Sequence, residues 1–453
     1  MSTSHSEGPV SVVVLAAGKG TRMRSKTTKV LHAVAGRSML EHVLASAAAL
    51  SPARLCVVIG DHAPEVGERA RAARPDAAIA VQAPPRGTGD AVMQAMPALE
   101  GARGAVLVLY ADTPLVKPET MRALANEIDA GAGVAVLGFR PDAPGAYGRL
   151  KLGADGSLEA IVEAKDASPE ELEITLCNSG VVAVEAEALA ELLPKIGNDN
   201  AKGEYYLTDI VGLARESGRA AVVVEADEEE VLGVNSRVEL AEAERLFQAR
   251  ARRRAMEDGA TLLDPQTVYF SYDTEIGQDV VIGPNVVFGP GVIVADGAEV
   301  KAFSHLEGAR VEKGASVGPF ARLRPGTVVG EGAKIGNFVE TKKAVLGAGA
   351  KVSHLTYLGD AEVGAEANIG AGTITCNYDG YDKFRTVIGE GAFVGSNSSL
   401  VAPVSIGAGA YVGSGSVVTK DVAPDALAVA RGRQMAKAGW AAEFRRKKDE
   451  SRG

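Results

Sequence analysis

Two sets of residues carry groups suited to chemistry. The first is the string Leu15-Ala16-Ala17-Gly18-Lys19-Gly20-Thr21-Arg22-Met23, with Lys29 just downstream. Its small residues let backbone N–H groups approach a phosphate, and Arg22 and Lys29 supply the opposite charge. It lacks the third glycine of GxGxxG, and its lysine precedes Gly-Thr instead of following GxxxxG, so it is neither a dinucleotide fingerprint nor a P-loop. On spacing alone, a phosphate loop and an ordinary turn both remain open. Asp112 follows the apolar run Ala105 to Leu109 and then Tyr110-Ala111, which makes it either a ligand-binding carboxylate or a strand-end cap or salt bridge. The second set centres on His354, one of six histidines. An imidazole of ordinary pKa, about 6.5, can take a proton near neutrality, yet a lone histidine is as readily structural. Cations cluster along the same half: Arg322 and Arg324, then Lys342 and Lys343, then Arg431 and Arg433. In a chain of net charge −10 such clusters suggest sites for small polyanions, while the overall balance argues against nucleic acid and membrane surfaces.

The elements that must position these groups are legible in the hydrophobic pattern. From Ile276 to Val418 an apolar residue returns about every sixth position, often followed by Gly, as in Ile282-Gly283, Phe288-Gly289, Val329-Gly330 and Val394-Gly395. Neither a helix nor an ordinary strand has this period, and it predicts a hexapeptide parallel β-helix with roughly three hexapeptides per coil. Coils bury their apolar rows only against neighbouring coils. The beat shortens to five residues between Leu306 and Val311 and breaks between Cys376 and Val387, where Asn377-Tyr378-Asp379-Gly380 and Lys383 form an excursion. Loops on a rigid scaffold commonly carry function.

The N-terminal half alternates strands and helices, which predicts a layered α/β domain with a largely parallel sheet. Strands are expected at Ser11 to Ala17, Leu55 to Ile59, Ala78 to Gln82 and Ala105 to Leu109, and a helix at Ser38 to Leu50. The last strand delivers Asp112 to its C-terminal end, where open α/β sheets bind ligands. Arg237 to Asp258, rich in Ala, Glu and Arg and free of Gly and Pro, predicts a long helix joining the halves.

With 453 residues, 46% of them apolar and 23% charged, the chain is globular and exceeds one core. No run of about 18 uncharged apolar residues is present, and Met1 to Pro9 is polar without a cationic region before an apolar one, so a soluble cytoplasmic protein is expected. Cys56, Cys177 and Cys376 lack CxxC spacing and read as small buried or half-buried residues. Arg445 to Lys448 reads as a solvated or frayed end.

The first string, with Lys29-Val30-Leu31, resembles the nucleotidyltransferases that join a sugar 1-phosphate to a nucleoside triphosphate. The likeness continues through Gln82, Gly87-Thr88-Gly89, Tyr110-Ala111-Asp112, Tyr147-Gly148-Arg149, Glu163-Ala164-Lys165-Asp166, Asn178-Ser179-Gly180, Gly203 to Asp209 and Gly233-Val234-Asn235. Together with Ala321 to Gly326, His354 to Asp360 and Asn368 to Gly380, the chain resembles the bacterial bifunctional N-acetylglucosamine-1-phosphate uridyltransferases and glucosamine-1-phosphate N-acetyltransferases over nearly its whole length. The resemblance implies a Rossmann-like nucleotidyltransferase domain followed by a left-handed parallel β-helix. It implies acetyl transfer from acetyl-CoA to glucosamine 1-phosphate, then uridyl transfer from UTP with release of pyrophosphate. The product, UDP-N-acetylglucosamine, would supply peptidoglycan, lipopolysaccharide and lipid A precursors.

By the same resemblance Leu15, Ala16, Ala17, Gly18, Arg22, Lys29, Gln82, Gly87, Thr88, Tyr110 and Ala111 hold the nucleotide, and Gly148, Glu163 and Asn178 the sugar. Asp112 and Asn235 match the family's magnesium ligands. His354 is the catalytic base, and Arg324, Lys342, Tyr357, Asn368, Asn377 and Lys383 hold the sugar phosphate. Ala371, Tyr378, Ser396, Ser414 and Arg431 line the acetyl-CoA site. Ala111 stands where the family has Gly, and Ser179 where it has Thr. The family is a homotrimer with acetyl sites between subunits. The expected domains are 1–237 for uridyl transfer, 238–258 as helical linker and 259–453 for acetyl transfer with a tail. Two rivals remain: a single-activity pyrophosphorylase with a merely structural β-helix, which has no use for His354 or Arg431, and a non-catalytic assembly module, which leaves Leu15 to Met23 and Asp112 without a role.

Overall fold

The computed structural model describes residues 8–200 and 202–452; the polar start from Met1 to Glu7 lies outside them. The chain divides into two compact units between Arg250 and Ala251.

In the first unit one sheet has the strand order Ala221–Glu225, Val134–Phe139, Cys177–Glu185, Ala105–Tyr110, Val10–Ala16, Arg54–Gly60, Ala78–Gln82. Val10–Ala16 is buried at every position, as an apolar run between two parallel neighbours must be. From it the chain moves outward through Arg54–Gly60 and Ala78–Gln82, then returns to its other side as Ala105–Tyr110. The gap between Val10–Ala16 and Ala105–Tyr110 is therefore a topological switch point, where such sheets bind ligands. The sheet is not parallel throughout. Cys177–Glu185 runs antiparallel to both neighbours, and Arg149–Leu152 with Leu158–Val162 adds an antiparallel pair beside it. Successive strand residues feed opposite layers, with Val12, Val14, Leu40 and Leu107 on one face and Val13, Val58, Val92 and Val108 on the other. The expected first helix is Met39–Ala48, started by a capping box of Ser38 and Glu41.

The long Gly-free stretch is one helix, Arg237–Glu257, followed by Gly259 with φ 106°. Its Ala243 and Leu246 complete a cluster with Val34, Met39, Leu115 and Val234.

The second unit is a parallel β-helix. Val281 pairs with Glu299 and Val287 with His305, each eighteen residues on, so three hexapeptides make one coil. The five-residue steps produce coils of seventeen, as between His305 and Arg322 or Glu340 and Tyr357. The excursion makes one coil of twenty-five, between Asn368 and Phe393. The periodic residues Ile282, Val300, Val317, Ile335, Val352, Ile369, Val394 and Val412 stack in one buried row. Corners take residues with positive φ, among them Phe303, Phe320, Phe338 and Leu355.

One expectation changes. Cys376 is exposed, because it occupies an outward position of Ile374–Cys376, where only Thr375 faces in. The basic run near the end is solvated, as expected: it lies on a helix, Trp440–Glu450, with every residue exposed and ion pairs Arg446–Glu450 and Lys447–Glu443 along it.

Candidate active sites

At the switch point of the first unit, Leu15 pairs with Tyr110, and Ala111 N–H donates to Leu15 C=O at 3.0 Å. This sets the loop after Val10–Ala16 beside Asp112. Gly20 turns the loop with φ 58°, and a Cβ there would lie 2.4 Å from Lys29 Cβ, so glycine admits the lysine stem. Lys29, almost fully buried, donates to the Asp112 carboxylate and to Asn235 Oδ1, the latter at 3.1 Å. Val234 N–H bonds Asp112 C=O at 2.8 Å, and Asn235 N–H bonds Glu239 at 2.7 Å, which fixes the two oxygen donors as neighbours. Two residues far apart in sequence thus converge on the Lys29 ammonium group. Arg22 is exposed on the turn Thr21–Met23 and, among the described residues, bonds none of them.

Beside this centre, Gln82 Nε2 donates to Gly87 C=O at 2.9 Å and to the buried Asp90 at 2.7 Å. Gly87 opens the helix Thr88–Ala95 with φ 109°, and a Cβ there would meet Tyr205 O at 2.5 Å. Thr88 Oγ1 accepts from Leu207 N–H at 3.0 Å. Burial, and then the charge of Asp112, push the Tyr110 phenol above its ordinary pKa, so it stays a neutral donor. A crevice lies among Tyr110, Ile161, Asn178, Gly180, Leu207 and Thr208. Asn178 N–H bonds Gly148 C=O at 2.8 Å, and its Oδ1 accepts from Gly180 N–H at 2.9 Å, inside a bulge of Cys177–Glu185. Glu163 is half-buried, and desolvation raises its carboxyl pKa. These groups can hydrogen-bond hydroxyls, and Lys29 supplies a cation in the same unit.

In the β-helix the predicted residues gather on two corners of the coil. One corner carries Arg324, Lys342, Asn377, Lys383 and Tyr378. The Lys342 ammonium is held below its ordinary pKa, first by Lys383 and then by Arg324 and Lys343, which places these cations within mutual reach. Among the described residues, only Arg324 of these cations has a carboxylate partner, Glu340, at 2.9 Å, and crowding of like charges is relieved by a bound anion. Gly359 makes room here: a Cβ would lie 2.5 Å from Tyr357 Oη and 2.7 Å from Asn377 Nδ2. Asn377 in turn donates to Asp360 at 2.6 Å. The excursion is a tight hairpin in which Tyr378 pairs with Lys383 and Phe384 N–H bonds Asn377 C=O at 2.9 Å.

The other corner carries His354, exposed, with Nδ1 hydrogen-bonded to Asn337 Oδ1. Asn368 lies on the face leading to this corner, paired with Lys351. Beyond His354 the same corner climbs coil by coil. Gly372 N–H bonds His354 C=O at 3.3 Å, Asn397 N–H bonds Ala371 C=O at 2.7 Å, and Gly415 N–H bonds Ser396 C=O at 2.8 Å. Arg431 then donates to Ser414 C=O at 2.9 Å. His354, Ala371, Ser396, Ser414 and Arg431 therefore form a track of about 20 Å at some 4.8 Å per coil, with an imidazole at one end and a guanidinium at the other. Sequence reasoning missed Asn337, Glu340 and Asp90; the first two lie one coil from His354 and Tyr357, a relation the coil length supplies.

A MobA-like NTP transferase domain matches residues 12–262, and bacterial transferase hexapeptide repeats match 273–308 and 385–420. The chain is 58% identical to the bifunctional protein GlmU of Azorhizobium caulinodans, over 97% of this chain and 98% of that one. It is 56% identical to that of Paramagnetospirillum magneticum and 58% identical to that of Maricaulis maris, each over 96% of both chains. Two scaffolds, each gathering its own cations around reactive groups, and likeness along the whole length place the chain in the family of bifunctional GlmU proteins.

Proposed function

We propose a division of labour among these residues for the two transfers of UDP-N-acetylglucosamine synthesis that this bifunctional enzyme performs. In uridyl transfer, a phosphate oxygen of N-acetylglucosamine 1-phosphate attacks the α-phosphorus of UTP, and pyrophosphate leaves. The step needs alignment and charge neutralisation more than a protein nucleophile. The backbone from Leu15 to Gly18, with Gln82, Gly87, Thr88, Tyr110 and Ala111, holds the nucleotide. Lys29 and Arg22 meet the phosphates, and Gly148, Glu163 and Asn178 hold the sugar. Asp112 and Asn235 would hold magnesium, because two oxygen donors converging on one cation position suit an ion that keeps water and phosphate ligands. Magnesium, when bound, would neutralise charge on the phosphates.

In acetyl transfer, the amine of glucosamine 1-phosphate forms the C–N bond to the acetyl carbon, the C–S bond breaks, and coenzyme A leaves as its thiolate. His354 takes the amine proton. The Arg324, Lys342 and Lys383 corner, with Tyr357, Asn368 and Asn377, holds the sugar phosphate. The track Ala371, Ser396, Ser414 and Arg431 takes acetyl-CoA, with Tyr378 contributing from the hairpin. The observation that carries the reading is the gathering of Lys29 with Asp112 and Asn235 in one scaffold and of Lys342 with Lys383 and Arg324 in the other.

A homotrimer is part of the proposal. The corner that bears His354 continues as an exposed apolar ladder, Phe303 on Phe320 at 4.9 Å and Phe320 on Phe338 at 5.1 Å, then Leu355. A ladder of this kind fits burial against a second copy, which would bring one chain's base to another chain's cations. Action in the cytoplasm is also proposed; among the described residues no helix is long and apolar enough to cross a membrane. Separate assays of pyrophosphate release and acetyl transfer test the division. Asp112→Ala should lose only the first, and His354→Ala should lower only the second, by about 10² to 10⁴-fold in kcat. Equal loss of both activities in a folded variant would refute independent sites.

A further inference from the structure

We propose that Asn337 is a positioning residue for acetyl transfer, fixing the His354 ring with its proton on Nδ1 and the Nε2 lone pair free to receive the amine proton. The proposal rests on the reading of His354 as the base. The strand Lys334–Asn337 lies one coil before Lys351–His354 and parallel to it, with Asn337 directly beside His354. Asn337 Oδ1 is bonded to His354 Nδ1. An amide oxygen only accepts, so the shared proton belongs to the ring, and a neutral imidazole protonated at Nδ1 has its lone pair at Nε2.

The backbone holds this pair independently of the side chains. Leu355 N–H donates to Asn337 C=O at 3.0 Å, while His354 C=O accepts from Thr356 Oγ1 at 2.7 Å and from Gly372 N–H at 3.3 Å. Asn337 is half-buried and His354 exposed, so the amide orients the ring from behind and leaves its far edge to the substrate. No other described side chain is bonded to Nδ1, so without Asn337 either nitrogen can carry the proton and the ring can turn about its side-chain bonds.

The test combines substitution with kinetics. Asn337→Ala should lower kcat for acetyl transfer by about 10 to 100-fold, with KM for both substrates within about twofold, because orientation and not binding is lost. In a His354→Ala background the same change should cost less than about twofold, since Asn337 acts only through the ring. Asn337→Asp, which can only accept from Nδ1, should retain most of the turnover near pH 8. Uridyl transfer and the unfolding midpoint should stay at parental values in all three. Should Asn337→Ala lose its fold, Asn337→Leu, close in shape and without an acceptor, carries the same expectation. Parental turnover in Asn337→Ala or Asn337→Leu, an equal cost with and without His354, or an inactive Asn337→Asp would each overturn the proposal.

Discussion

Gly336→Ala is a sharp test of how the β-helix aligns His354, the proposed acetyl-transfer base. An added Cβ at Gly336 would lie 1.9 Å from Ser353 O, 2.7 Å from its carbonyl carbon and 2.9 Å from its Cα. All three are backbone atoms of the next coil and cannot rotate aside. Ordinary contact requires that coil to retreat by about 1.5 Å. The bonds that tie the coils there are Lys334 N–H to Ala350 C=O at 2.8 Å and Leu355 N–H to Asn337 C=O at 3.0 Å, and such a retreat breaks them. Overpacking costs about 1–3 kcal/mol and each lost bond about 1 kcal/mol, giving roughly 3–5 kcal/mol in all. At about 2–4 °C per kcal/mol for a unit of this size, the midpoint of the β-helix should fall by roughly 6–20 °C. The measurement is thermal unfolding at fixed protein concentration, which the proposed homotrimer requires, with both activities followed on the same preparation. Acetyl transfer should drop because Asn337 and His354 sit on the two displaced strands, while uridyl transfer persists below the transition. A Gly336→Ala protein with the parental midpoint and parental acetyl turnover would refute the coil-contact reasoning.

Three further outcomes are expected. Lys29→Met removes the cation that Asp112 and Asn235 share, so Mn²⁺ titrated without nucleotide should bind several-fold more tightly even as uridyl transfer falls; unchanged metal affinity would argue against the convergence of these groups. Burial raises the Glu163 carboxyl pKa, so the folded chain takes up that proton more readily than the unfolded one, and the ionised group costs stability once pH rises above its ordinary value. Glu163→Gln should therefore leave neutral-pH stability equal or higher while raising KM for the sugar phosphate; a destabilised variant with normal KM would contradict both halves of that statement. Finally, a fragment ending at Arg250 should fold and release pyrophosphate without acetylating, whereas one ending at Arg237 should melt lower, because it leaves Val34, Met39 and Leu115 without Ala243 and Leu246.

What the sequence reveals differs between the halves for a physical reason. In the β-helix, distance along the chain becomes distance in space through one nearly constant coil length. Six-residue steps predict eighteen-residue coils, the five-residue steps account for coils of seventeen, and the break at Cys376 to Val387 locates the hairpin that carries Tyr378 and Lys383. With the coil length in hand, Asn337 follows from His354 by stepping back one coil, although nothing in the asparagine itself marks it. Cys376 was misplaced because inward and outward positions alternate within a coil, and a cysteine suits either. In the α/β half no such constant exists. Buried strands were legible as apolar runs, but hydrophobic pattern carries no direction, so the antiparallel course of Cys177–Glu185 could not be read from it. Nor could spacing pair Lys29 with Asp112 and Asn235, which the topology of the sheet joins across long stretches of chain. There the resemblance to a family supplied the residues and the structure supplied their partners. A solenoid exposes its contacts to arithmetic, whereas a doubly wound sheet hides them in its crossovers.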